Sequence, residues 1–175
     1  MIWYLLLAGI LINGVHGYFL WSQRDERKWS ISVHAIKNRR THALYIAGHI
    51  FAGFFFLLFA KEFFVNLHNA PALFNLALLT YAFEIIQAIL PSKDKYEKAH
   101  TIAALLMWLS FVTAGLLSIV FLNINTISRV IAATFYVPLL IMLVRSYFDR
   151  SRLYYYQMNM VLLFYGAMFA LVIGS

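Results

Sequence analysis

Cysteine is absent from the 175 residues, which excludes disulfide frameworks, thiolate metal sites and cysteine nucleophiles and leaves no redox-compartment signal. Charge is scarce. Asp, Glu, Lys and Arg make up 12% of the chain, against roughly 25% in soluble domains. No polar window exceeds roughly twenty residues, so a water-facing exterior cannot be assembled. Proline occurs three times. Of these, Pro138 interrupts a long apolar run, where it predicts a kink and a freed carbonyl at Thr134.

What remains is apolar: hydrophobic residues account for 63% of the chain. They fall in six runs, 2–21, 43–65, 72–90, 101–122, 127–147 and 153–173, each near the ~20 residues that carry a helix across ~30 Å of hydrocarbon. Backbone amides in hydrocarbon must be satisfied within their own segment, and barrel-type alternation is missing, so the expected class is an all-α transmembrane bundle. There is no internal repeat or linker, which predicts one domain. The start, Met1-Ile-Trp-Tyr-Leu-Leu-Leu, lacks a basic n-region and a following cleavage site. It is therefore expected to be a retained first span and not a signal peptide.

Twelve of the fourteen Lys and Arg lie in alternate connections. These are Arg24, Arg27, Lys28, Lys37, Arg39 and Arg40 after span one, Lys93, Lys95 and Lys98 after span three, and Arg145, Arg150 and Arg152 after span five. The opposite loops, 66–71 and 123–126, have only Lys61 and Arg129 near their edges. The positive-inside rule then predicts extracytoplasmic termini, in a plasma or inner membrane. The net charge of +7 is spread over short loops without the single stripe a nucleic acid requires. Its expected partners are the bilayer itself and its anionic lipids. Trp29, Val33 and Ile36 in the first basic loop fit a short interfacial helix; Trp29, Ile31 and Val33 fit an extended segment equally well.

The ionisable residues inside the runs share a depth. At 1.5 Å per residue, His16 lies about 7 Å inside the cytoplasmic end of its span, and His49, Glu84 and Asn159 about 9 Å inside theirs. Gln87 is one turn from Glu84, and His42 and His100 sit nearer the surface. His42 and His49 share a face of span two with Tyr45 between them. Gly9, Asn13 and Gly17 form a small-residue stripe in span one, beside His16, that is expected to face the bundle. A carboxylate at this depth costs about 3 kcal/mol on insertion scales. A single intramembrane polar residue is commonly interhelical glue worth about 0.6 kcal/mol, and Asn13, Asn75, Asn159, Ser110, Thr113 and Thr134 need no more than that. The coincidence of His16, His49 and Glu84 favours a site, because ionisable residues in spans mark pathways, relays or ligands.

Four chemistries can use this set. A divalent metal would take His16, His49 and Glu84, with His42, His100 or water as the fourth ligand. Haem b would take His16 and His49 as axial ligands. A carrier would relay protons through Glu84, His49 and His16. A lipid headgroup would enter from the cytoplasmic leaflet. No family is assigned: the Ser30-x-x-x-His34 spacing of seven-span ceramidase-type hydrolases stands without their intramembrane Asp or later His-x-x-x-His, and the last span has no retinal-binding lysine. The sequence predicts a cytoplasm-facing pocket of His16, His49, Glu84, Asn159 and Gln87 that binds or moves a small ligand, ion or lipid. The alternatives are a metal- or haem-dependent membrane enzyme, and a scaffold whose polar residues only hold the bundle together.

Overall fold

Long apolar runs with few helix breakers satisfy their amides locally, and among the described residues the computed structural model has seven α-helices: α1 (Ile2–Ser22), α2 (Ile31–Ala35), α3 (Arg39–Ala60), α4 (Pro71–Ile89), α5 (Glu97–Phe121), α6 (Thr126–Phe148) and α7 (Leu153–Ile173). The structure describes residues 1–22, 30–91, 94–149 and 152–175; Arg24, Arg27, Lys28, Trp29, Lys93 and Arg150 lie outside the described residues. Among the described residues all the helices except α2 are long and apolar enough to cross a membrane. Their outer faces carry Trp3, Ile10, Phe51, Leu105, Val137 and Phe148 in the open. A water-soluble surface would not tolerate so many exposed apolar side chains. The arrangement is consistent with a multi-pass membrane protein.

Helices α3 and α5 each begin before the apolar run does, in the polar turns Arg39-Arg40-Thr41-His42 and Glu97-Lys98-Ala99-His100. A capping box starts α3: Asn38 Oδ1 accepts from the Thr41 amide at 2.9 Å while the Asn38 amide donates to Thr41 Oγ1. Such caps let a helix continue past the hydrocarbon edge without orphaned donors. At its other end α3 runs on through Lys61–Leu67 in wider π-helical turns. Pro71 opens α4 at its first turn, where proline has no hydrogen bond to lose. Helix α6 continues unbroken through Pro138 to Phe148.

Packing runs α1 to α3 to α4 to α5 to α7 and back to α1, with α6 outside this ring against α7 and α5. The ends that bear the basic connections meet one another: His42 Nε2 donates to Ala88 O at 3.1 Å, His100 Nδ1 to Leu90 O at 2.9 Å, and Tyr154 Oη to His16 O at 2.6 Å. This is the basic end. At the opposite end the Asn125 amide donates to Gly174 O at 3.1 Å. A large apolar cluster, including Phe56, Phe59, Phe63, Tyr136 and Phe164, fills the bundle on one side of the cavity. A smaller one, Phe19, Ile31, Ala35, Tyr45, Ala88 and Tyr154, closes the other.

The short α2 does not lie flat on the surface. Ile31, Ser32, His34 and Ala35 are all buried, while Val33 and Ile36 are half-buried. Its ends are satisfied by partners from elsewhere: Ile31 N–H donates to Gln157 Oε1 on α7 at 3.1 Å, Val33 N–H to Ser30 Oγ, and Thr41 Oγ1 donates to Ala35 O at 2.6 Å. That pairing is what allows one turn of helix to leave water.

Candidate functional site

One side chain per turn from each of five spans points into a common cavity of about 100 Å³. The register is helical throughout: Ile12 and His16 on α1, Tyr45, His49 and Gly53 on α3, Thr80, Glu84 and Gln87 on α4, His100 and Ala104 on α5, Gln157, Val161 and Tyr165 on α7. Spacings of three and four put these residues on one face of each helix. Ile31 of α2 also reaches the cavity, and α6 contributes nothing to it.

At its centre His49 Nδ1 lies 2.8 Å from Glu84 Oε1. The ring nitrogen donates and the carboxylate oxygen accepts. Tyr45 packs edge-on to the His49 ring at 4.3 Å between centroids, and the His16 ring stands 5.6 Å away on the other helix. Gln87 and the Tyr45 hydroxyl bond each other at 3.1 and 3.3 Å. Thr80 and Ser110 bond at 3.0 Å between α4 and α5. Two imidazole atoms stay buried without a protein hydrogen-bond partner, His16 Nδ1 and His49 Nε2; both residues are only 5% exposed.

Of the residues singled out from the sequence, His16, His49, Glu84, Gln87 and His100 all line this cavity. His42 does not; its ring is committed to the Ala88 carbonyl outside. Asn159 is exposed on the outer face of α7 and bonds back to Tyr155 O at 2.8 Å. Depth arithmetic sets height but not azimuth, and α7 turns Gln157, Val161 and Tyr165 inward instead. That four-residue recurrence, with a glutamine leading it, was the available signal for the side of α7 that matters. The stripe on α1 is only partly inward. Gly9 abuts the Tyr165 ring, whereas Gly17 has no neighbour within 4 Å of a built Cβ, and Asn13 bonds to its own helix at Gly9 O.

No three His, Asp or Glu side chains among the described residues converge as a metal donor set. A macrocycle between His16 and His49 would need far more space than the cavity of about 100 Å³.

A second, wider cavity of about 670 Å³ lies at the opposite end, between the π-helical end of α3 and the α5–α6 connection. Its titratable side chain is His68, whose imidazole burial holds below its ordinary value. No carboxylate side chain lines it.

No family model, no curated protein and no solved structure matches this chain. The class that the fold and cavity define is a bundle of six membrane-length helices, five of which surround an internal pocket that carries buried polar side chains.

Proposed function

We infer that the chain binds or moves a small polar ligand or ion at the cavity centred on His49 and Glu84. The observation that carries this reading is the 2.8 Å His49–Glu84 contact on a cavity wall beside two unpartnered imidazole nitrogens. Magnitudes decide against glue alone. An interhelical hydrogen bond returns about 0.6 kcal/mol on average, whereas an ionisable side chain within a span costs about 3 kcal/mol. Glue also needs no cavity.

The test is ligand-dependent stabilisation of the purified protein in detergent, with a panel of sodium, ammonium and methylammonium chlorides, sodium acetate and acetamide. Anything that binds the folded state alone raises the unfolding midpoint by mass action. At least one solute is expected to raise it saturably. Glu84→Gln and His49→Gln are expected to fold yet to lose that response. A wild-type protein indifferent to every solute, or variants that respond like it, would leave the polar residues as helix-packing groups.

A further inference from the structure

The residues around the cavity are unevenly exposed, and on the premise that this cavity is the binding site, that unevenness marks where a ligand enters. Every lining residue from α1, α2 and α3 is buried. On α4, Thr80 and Gln87 are buried and Glu84 is half-buried. On α5 and α7 the pattern reverses: Ala104, Met107 and Trp108 on one helix and Gln157, Val161 and Tyr165 on the other are all half-buried. The cavity therefore opens between α5 and α7. Toward the opposite end of the bundle, Phe111 stacks on Phe164 across these two helices and bounds the gap.

A cavity inside a membrane bundle is reached from water at a helix end or from hydrocarbon at a helix side. The basic end is closed by the smaller apolar cluster, in which Phe19, Ile31, Tyr45 and Tyr154 are no more than 4% exposed. The other end is filled by the larger cluster around Phe59 and Phe63. The opening lies at neither end. At 1.5 Å per residue, Gln157 and Tyr165 stand about 6 and 18 Å along α7 from its start, between the basic interface and the middle of a hydrocarbon layer about 30 Å thick. Helix α6 contributes no residue to the cavity wall. A ligand that enters here comes from the bilayer, and because a charge is costly in hydrocarbon, the polar group that it brings is uncharged.

The wall offers such a group both kinds of hydrogen-bond partner. Glu84 Oε2 is an acceptor that His49 leaves free. The Trp108 indole, the Gln157 amide and the Tyr165 hydroxyl bring donors, and none of these N–H or O–H groups is spent on a protein partner among the described residues. Gln157 Oε1 is held by the Ile31 amide, which fixes the amide and leaves its Nε2 unspent. A hydroxyl is the smallest uncharged group that both donates and accepts. About 100 Å³ holds a head group with its first carbons but no long chain. We propose that the cavity takes the hydroxyl head of a single-chain amphiphile, a long-chain alcohol in its simplest form, drawn from the bilayer between α5 and α7. The alkyl chain stays in the opening, along Met107 and Val161.

Wild-type protein in phosphatidylcholine nanodiscs, photolabelled with decan-1-ol that carries a mid-chain diazirine, tests this without any variant. Labelling is expected to saturate and to map to Met107, Trp108 and Val161 in preference to Leu105 and Leu162, which are exposed on the outer faces of the same helices. At equal concentration in the membrane, unlabelled decan-1-ol should compete. Decane, which lacks the head, and decanoate and decyltrimethylammonium, which are charged, should each compete at least tenfold more weakly. Ala104→Phe narrows the opening and is expected to cut saturable labelling at least tenfold, whereas Leu105→Phe on the outer face should leave it unchanged. Tyr165→Phe removes one donor and should weaken decan-1-ol severalfold. Decane competing as well as decan-1-ol would overturn the polar head, and either charged probe doing so would overturn the uncharged one. Labelling that does not saturate and falls equally on Leu105 would overturn entry from the bilayer; if the water-soluble panel still raises the unfolding midpoint, the cavity remains a binding site. Neither saturable labelling nor a response to that panel would remove both readings.

Discussion

Gly53 sets how closely α4 can bring Glu84 to His49. A Cβ built there clashes with the edge of the Tyr81 ring and lies 3.2 Å from Glu84 Oε2, so Gly53→Ala is expected to overpack the α3–α4 contact. It should cost about 1–3 kcal/mol, read as a lower midpoint in detergent, with the His49–Glu84 contact displaced. Gly14 on α1 is the internal control. Nothing lies within 4 Å of a Cβ built there, and alanine gains up to about 1 kcal/mol of helix propensity over glycine. Gly14→Ala should be neutral or stabilising; equal loss at both positions would contradict the packing described. At this scale part of the cavity lining was readable, since counting residues from the span ends picked out His16, His49 and Glu84, and Gln87 follows one turn from Glu84. What counting could not supply was azimuth. Asn159 has the right height on the wrong side, and Gln157 and Tyr165 were passed over because each alone resembles an interfacial or packing residue.

The six long helices were legible because hydrocarbon leaves a backbone little choice, and their ends moved by more than two residues only where polar turns extend α3, through its capping box, and α5 toward water. Helix α2 was not legible. Periodicity offered an interfacial helix or an extended segment for the same residues, and the decision between burial and surface rests on Gln157, 126 residues away from Ile31. Thr41 is the nearer support, because its hydroxyl closes the α3 capping box and donates to Ala35 O. Thr41→Val keeps the shape and removes both contacts. It is expected to destabilise by about 1–2 kcal/mol and to raise amide hydrogen exchange in Ile31–Ala35 well above that in the middle of α3. Unchanged exchange in α2 would show that its burial does not depend on this hydroxyl.

Five spans enclose the cavity while α6 packs outside them, so the molecule has a functional axis with two different ends. The polar wall lies toward the basic end, where α1 finishes and α3, α5 and α7 begin. The orientation of this end decides from which side of the membrane a ligand arrives. Lys37, Arg39, Arg40, Lys95, Lys98, Arg145 and Arg152 belong to this end, against Lys61 and Arg129 toward the other. That bias predicts a cytoplasmic basic end. With no native cysteine, single introduced thiols report orientation without background. The sites need choosing by structure. Asn125 caps α6 through the Ser128 amide and Asn69 holds a positive φ of 49°, so a cysteine at either would disturb the backbone. Asn66 and Asn123 are exposed at the same end and serve instead. In intact cells an impermeant maleimide is expected to label Asn66→Cys and Asn123→Cys, and to reach Lys95→Cys only after permeabilisation. The opposite pattern would turn the bundle over, and the cavity would then draw its ligand from the outer side of the membrane.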